Sequence, residues 1–250
     1  MDLATVLYSV DGPLARVVMN RPAKRNALDY QLLDDLDAAF DAAEADSEAR
    51  VVVLSGAGPS FCSGYDLGGS YYTSAPDGGW TVANSLDRLR GIEDRYRRIW
   101  DFPKPTVAQV HGHALAGGCY LQMLCDISVA ADDAVLGHPA VKMGGVSSMP
   151  LWQVLLGPKK ARYLLMTGRT VNGREAEQMG LVSLSVPPEA LVDTVEAIAA
   201  ECAAIPAAGQ RHHKEALNTD LEIMGLGALF RYRGQMNALG RLKGGSPPYE

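Results

Sequence analysis

Val51-Val52-Val53-Leu54, bounded by Gly56 and by Gly58-Pro59, narrows the choice of fold more than any other segment. Four apolar side chains in succession leave no polar face, so the strand predicted from Arg50 to Ser55 is covered on both sides. Helices must then pack on the sheet, and the neighbouring sequence supplies them. From Asp29, a candidate N-cap, apolar residues recur at Leu32, Leu33, Leu36, Phe40 and Ala43 while acidic residues fill the other face. A second buried strand, Thr106 to Val110, follows a charged helix that ends at Trp100 and the prolines Pro103 and Pro105. Asp126 to Ala131 makes a third strand. The result is an α/β alternation, preceded by two strands, Thr5 to Val10 and Leu14 to Met19, joined through Asp11-Gly12-Pro13.

The second half turns helical. Leu151 to Met166 is interrupted by Gly157-Pro158 and so predicts two packed helices. Asn172 and Glu175 have the spacing of a capping box, with Gly180 as the C-terminal stop. Beyond Pro187 the pattern is helical with no strand signal. This divides the chain into an α/β core at 1–190 and a helical region at 191–250 suited to oligomer contacts.

Composition excludes several classes of function. With 47% hydrophobic residues in a chain of 250, a large core can be buried. A net charge of −6 without a basic stripe argues against nucleic acid as a partner. The arginines between Arg88 and Arg98 alternate with Asp87, Glu93 and Asp94, as on a solvated helix face. Cys62, Cys119, Cys125 and Cys202 lack metal-ligand or disulfide spacing, so no metal site is expected and a reducing compartment is. No apolar run is long enough for a membrane span, and the N-terminus has no leader pattern; the cytoplasm is the expected location.

Two places bring a buried strand into a glycine turn: Phe61-Cys62-Ser63-Gly64-Tyr65-Asp66-Leu67, and His111-Gly112-His113-Ala114-Leu115-Ala116-Gly117-Gly118-Cys119. Glycine permits positive φ and a close approach of backbone N–H groups to a ligand. A helix beginning at Gly117 would add unpaired N–H groups and the positive end of its dipole, a setting that favours an oxyanion. Either turn alone reads equally as close packing.

Together with Asn20 to Leu28, Pro103-Lys104-Pro105, Asp126, Thr167-Gly168-Arg169, Glu175-Ala176 and Gly180-Leu181-Val182, the two turns make the chain resemble the enoyl-CoA hydratase/isomerase (crotonase) superfamily from about Val6 onward. The resemblance implies a spiral of stacked β-β-α turns with a helical C-terminal region, assembled as a homotrimer or a dimer of trimers. It implies an acyl-CoA substrate, with coenzyme A as part of that substrate and no prosthetic group. It further implies that the N–H groups of Tyr65 and Gly117 hold the thioester oxygen. Two preorganised donors stabilise enolate-like charge, and losing one such donor costs roughly 3 kcal/mol in comparable sites. Ala23, Lys24 and Ala27, with Gly64, Asp66 and Leu67 beside the first turn, fall where the family carries coenzyme A; Lys24 reads equally well as solvated surface. The basic residue that usually follows the first turn is replaced by Gly68 and Gly69, leaving Arg241 or Lys243 as candidates for the nucleotide phosphate.

The family's two catalytic glutamates are absent. Tyr120 stands three residues after Gly117, and Ala140 follows Pro139. Positioned acid-base groups contribute about 10²–10⁴-fold each, so ordinary hydration is not expected. Tyr120 can donate a proton to an enolate or simply pack; His138, beside the vacant second position, has a pKa range suited to proton transfer. His113 can face pocket or core, His111 reads as structural, and Asp66 reads as a local backbone partner. The aromatic loop Tyr71 to Trp80 can line an acyl pocket or anchor a lid. The expected activity is therefore acyl-CoA chemistry of the lyase or isomerase type, such as decarboxylation, hydrolysis or C–C cleavage. The alternative is a non-catalytic acyl-CoA binder or carrier.

Overall fold

The computed structural model describes residues 3–68 and 81–242. Strands β1 (Val6–Asp11) and β2 (Leu14–Met19) pair antiparallel through Gly12-Pro13, with Gly12 at φ +55. The expected hairpin is thus present, its first strand shifted by one residue from the predicted Thr5 to Val10. Strand β2 then runs parallel to β3 (Val51–Gly56), β3 to β4 (Thr106–Val110), and β4 to β6 (Ile127–Ala131). β9 (Leu184–Val186) completes a six-stranded sheet in the order β1-β2-β3-β4-β6-β9. The continuous apolar run of β3 is fully buried from Val51 to Leu54, as a strand covered on both faces requires.

After β4 and again after β6, the chain leaves the large sheet and adds one short strand to a second sheet. These are β5 (His113–Leu115) after β4 and β7 (Val135–Gly137) after β6, with β8 (Thr170–Val171) antiparallel on β7. Cys62 bridges Ala114, so the passage after β3 extends this second layer. Repetition of long strand, short strand and helix produces the stacked β-β-α turns expected from the sequence.

Helices cover the layers. α1 (Tyr30–Ala45) is capped by Asp29, whose carboxylate accepts from the Leu32 N–H at 2.9 Å. Lys104, between its two prolines, donates to the Ala43 and Asp46 carbonyls at 2.6 and 2.7 Å and so closes the other end of α1. α2 (Val82–Trp100) buries Leu89, Ile92, Tyr96 and Ile99 and turns its arginines outward to Asp34, Asp37 and Asp41 of α1 and to Glu222. α3 (Gly117–Leu124) is buried along its whole length. α4 (Leu151–Thr167) is broken at Gly157 (φ 67, ψ 171) ahead of Pro158, as expected, and α5 (Gly173–Met179) has the Asn172–Glu175 capping box and Gly180 stop. Then follow α6 (Leu191–Ala204), α7 (Ala207–Ile223) and α8 (Leu226–Leu242). α6 inserts Leu191, Val195 and Ala199 into the same core as the large sheet.

One buried amide holds the segment between β2 and α1. Asn26 has no solvent exposure; its Oδ1 accepts from the Arg21 N–H, and its Nδ2 donates to the Ala57 and Ser60 carbonyls at 2.9 and 2.8 Å. It also sits at φ 55, where asparagine is better tolerated than most residues. Asn26→Ala should lower unfolding stability by about 3 kcal/mol, because it strands the buried Ser60 carbonyl and the half-buried Ala57 carbonyl and leaves alanine in the left-handed region. Urea unfolding measures this; a loss under about 1 kcal/mol would mean the turn is held elsewhere.

Candidate active site at the two glycine turns

The first turn is fixed from both sides by backbone hydrogen bonds. Phe61 and Cys62 donate to the His111 and His113 carbonyls, both at 2.8 Å, and the Cys62 carbonyl accepts from Leu115 at 3.0 Å. On the other side Leu28 donates to Gly64 at 2.7 Å and Asp66 donates to Leu28 at 2.8 Å. The bridge between Leu28 and Tyr65 therefore uses the groups flanking Tyr65 rather than its own N–H. Gly64 takes φ 99, and a Cβ there would stand 2.8 Å from the Leu115 carbonyl oxygen, so only glycine fits.

The second turn is strained. Ala116 adopts φ 46, ψ −114, outside the regions open to most L-residues, and is held there by its N–H bond to the Gly137 carbonyl at 2.8 Å. This conformation starts α3 abruptly. The Gly117 N–H, first in the helix, makes no hydrogen bond among the described residues. A Cβ on Gly117 would lie 2.7 Å from Leu28 Cδ1 and 3.0 Å from two atoms of the Tyr65 ring. The fold thus brings Tyr65 and Gly117 into contact although they lie far apart in sequence.

One helical turn further, Tyr120 is 2% exposed. Its hydroxyl lies 2.8 Å from Ser147 Oγ and 3.3 and 3.4 Å from the ring nitrogens of His138, which stacks on it with centroids 5.5 Å apart and an interplanar angle of 24°. Tyr96 of α2 meets Tyr120 edge to face at 5.9 Å and hydrogen-bonds the Tyr65 hydroxyl. Tyr65, Tyr96, Tyr120, Ser147 and His138 therefore form a continuous neutral group linking both turns. Burial pushes His138 down to about 4, so its imidazole is uncharged at neutral pH. Burial likewise pushes the Cys62, Cys119 and Cys125 thiols up to about 12, which fits apolar packing rather than nucleophilic chemistry.

The other predicted residues separate into two groups. Ala23 and Lys24 are exposed on the short helical turn Pro22–Lys24, and Leu67 is exposed next to the first glycine turn. Ala27 is buried, its carbonyl taken by Arg21 and its N–H donated to the Lys24 carbonyl. Asp66 accepts from the Gly68 N–H, the local backbone role expected of it, and also pairs with Arg21, which reaches Asp29 as well. His111 bonds the Gly58 carbonyl and His113 the Ser60 hydroxyl, so both histidines serve the turn's scaffold. Residues 69–80 and Lys243 lie outside the described residues, as does the Arg241 side chain. Sequence reading missed Ser147 and Tyr96. Tyr96 was within reach, since Leu89, Ile92, Tyr96 and Ile99 recur at helical spacing; Ser147, in an irregular stretch, carried no signal.

Comparison with known proteins agrees with this geometry. The sequence pattern described as Enoyl-CoA hydratase/isomerase matches residues 10–238. The chain belongs to the enoyl-CoA hydratase/isomerase family. A relative from Thermus thermophilus is 38% identical over 231 residues, covering 91% of this chain and 88% of its own. A Clostridium acetobutylicum relative named short-chain-enoyl-CoA hydratase is 32% identical, covering 89% and 84%. Among solved structures, an enoyl-CoA hydratase/isomerase from Xanthobacter autotrophicus Py2 superposes with TM-score 0.91 at 33% identity, over 99% of this chain and 90% of that one. The α/β spiral is thus the fold of this family. In this member Tyr120 is buried and Ala140 half-buried.

Burial of His138 also ties stability to pH. An unfolded histidine titrates near 6.5, so as pH falls the unfolded chain gains a proton that the folded chain refuses until about pH 4. Stability from this residue is complete above that window and drops by about 2 kcal/mol between pH 7.5 and 5. His138→Gln should flatten that part of the urea-midpoint profile; an unchanged slope would show that His138 is not held neutral by burial.

Proposed function

We propose that this protein is an acyl-CoA enzyme that stabilises a thioester enolate at the N–H groups of Tyr65 and Gly117 and transfers a proton through Tyr120, without adding water. The carrying observation is the Tyr120–Ser147–His138 group, one helical turn after Gly117, made of two hydroxyls and an uncharged imidazole. A strained Ala116 directs an unpaired N–H and the positive end of α3 toward the site, which favours negative charge on the ligand oxygen.

Coenzyme A enters as part of the substrate. Exposed Ala23, Lys24 and Leu67 supply contact surface at the mouth of the first turn, with Gly64 letting the backbone approach. Asp66 and Ala27 act one step back, because Arg21 ties both into the turn that presents those groups. At the reacting end, Ser147 orients the Tyr120 hydroxyl through the 2.8 Å contact, and neutral His138 lies against it without adding charge. Water addition needs a second proton-transfer group across the substrate, and the methyl of Ala140 cannot provide one. Reactions needing an enolate and one proton donor, such as isomerisation, decarboxylation or other C–C cleavage, remain within the site's reach. The hydratase names of the relatives support acyl-CoA as the ligand class.

Calorimetry and turnover across enoyl-, 3-oxo-, branched and malonyl-type CoA thioesters test this together. Tyr120→Phe should lower kcat on the best substrate by roughly 10²–10⁴-fold while changing KM little. Wild-type protein should hydrate crotonyl-CoA barely above background. Tight binding with no turnover of any thioester would instead identify a carrier, and efficient hydration would overturn the assignment of Tyr120.

A further inference from the structure

We infer that the acyl group accepted by this site carries a carboxylate, and that Arg233 of α8 is the residue that pairs with it. This rests on the acyl-CoA reading above and specifies its substrate class.

The placement of Arg233 comes from the packing of α8. Phe230, Gly234 and Ala238 are buried, and Asn237 donates its side-chain amide to the Val146 carbonyl. Arg233 lies one helical turn before Asn237 on that same flank. Val146 immediately precedes Ser147, whose hydroxyl meets Tyr120. The flank that carries Arg233 is therefore pinned beside the Tyr120 group. Consistent with this, Tyr120 is close enough to interact with the guanidinium were it ionised, and burial pushes the arginine's pKa down.

Arg233 differs from the other half-buried arginines. Arg16 pairs with Glu196, Arg21 with Asp29 and Asp66, Arg95 with Asp34 and Asp37, Arg97 with Glu222 and Arg98 with Asp41, while Arg50 donates to the Ile205 carbonyl and Arg88 to the Tyr30 hydroxyl. Arg233 is half-buried yet has no hydrogen bond or ion pair among the described residues. Glu93, on the adjacent α2, faces Gly234 instead, 3.8 Å from where a Cβ would stand. A guanidinium partly withdrawn from water without a counter-charge is costly, and a bidentate carboxylate is the partner its planar fork fits best.

The sequence around the site supports the same conclusion independently. From Ala134 to Arg174 there is no Asp or Glu, in a chain that has 29 acidic residues. That stretch contains His138, Ala140 and Ser147, and α3 has no acidic residue either. Among the described residues, a carboxylate entering beside Tyr120 would meet no acidic side chain from these two segments and would meet Arg233 without an ion-pair partner.

The experiment is calorimetric binding of malonyl-, methylmalonyl- and glutaryl-CoA, compared with butyryl- and hexanoyl-CoA, to the full chain. The best carboxylated ligand should bind roughly 10- to 100-fold more tightly than the best neutral one. Arg233→Gln should lower that affinity by the same factor and bring the two classes level, and Arg233→Lys should retain part of the preference. Equal or tighter binding of the neutral thioesters, or a carboxylate preference that survives in Arg233→Gln, would overturn the inference while leaving the acyl-CoA reading intact. Failure of every thioester to bind would overturn both.

Discussion

The backbone of Cys62 is the contact on which the rest of the site depends. Its N–H donates to His113, its carbonyl accepts from Leu115, and that same carbonyl lies 2.1 Å from where a Cβ on Gly118 would be. Two strand-to-turn passages from successive turns of the spiral are thereby locked backbone to backbone, at a spacing that excludes any side chain. Gly64, Gly117 and Gly118 are not interchangeable loop residues but the conditions for this approach. The strained Ala116 follows from it: the chain must leave β5 and start α3 within one residue, and the bond to Gly137 holds it there. The position of the Gly117 N–H is thus set by the core and not by a mobile loop, which is what preorganised stabilisation of charge requires.

The electrostatic character of the site follows from what surrounds this frame. Tyr65, Tyr96, Tyr120 and Ser147 contribute hydroxyls, and His138 is held uncharged by its burial. In such surroundings backbone dipoles and a single guanidinium have more effect than they would in solvent. A site with a paired-carboxylate machinery is suited to splitting water across a double bond. The reading proposed for this one is that it receives negative charge and returns one proton. Stability and chemistry are linked in it, because the burial that keeps His138 uncharged also keeps the Tyr120 hydroxyl in place.

Much of the fold was legible in the sequence because its elements are long enough for their periodicity to show. The run at Val51 to Leu54, the Asp29 cap, the break at Gly157-Pro158 and the Asn172–Glu175 box all stand where the residues predict them. The short strands β5, β7 and β8 were not legible, since two or three residues carry no period and are ordered only by their neighbours. The site divides in the same way. Its glycine turns announce themselves by composition, whereas the meeting of Tyr120 with Ser147, and of Tyr96 with Tyr65, depends on how separate turns of the spiral are stacked. Arg233 belongs to this second kind: in sequence it is one of several charges on a C-terminal helix, and only the fold sets it on the flank beside the cluster with no ion-pair partner among the described residues.

The proposed chemistry requires that a thioester oxygen be held between the Tyr65 and Gly117 N–H groups. Isotope-edited infrared difference spectroscopy of an acyl-CoA labelled with carbon-13 at the thioester carbonyl tests this in the bound complex. Two backbone donors should polarise the carbonyl and move its stretch to lower frequency than in water, and Tyr120→Phe should leave that shift in place. A carbonyl band at the same frequency bound and free would contradict the account.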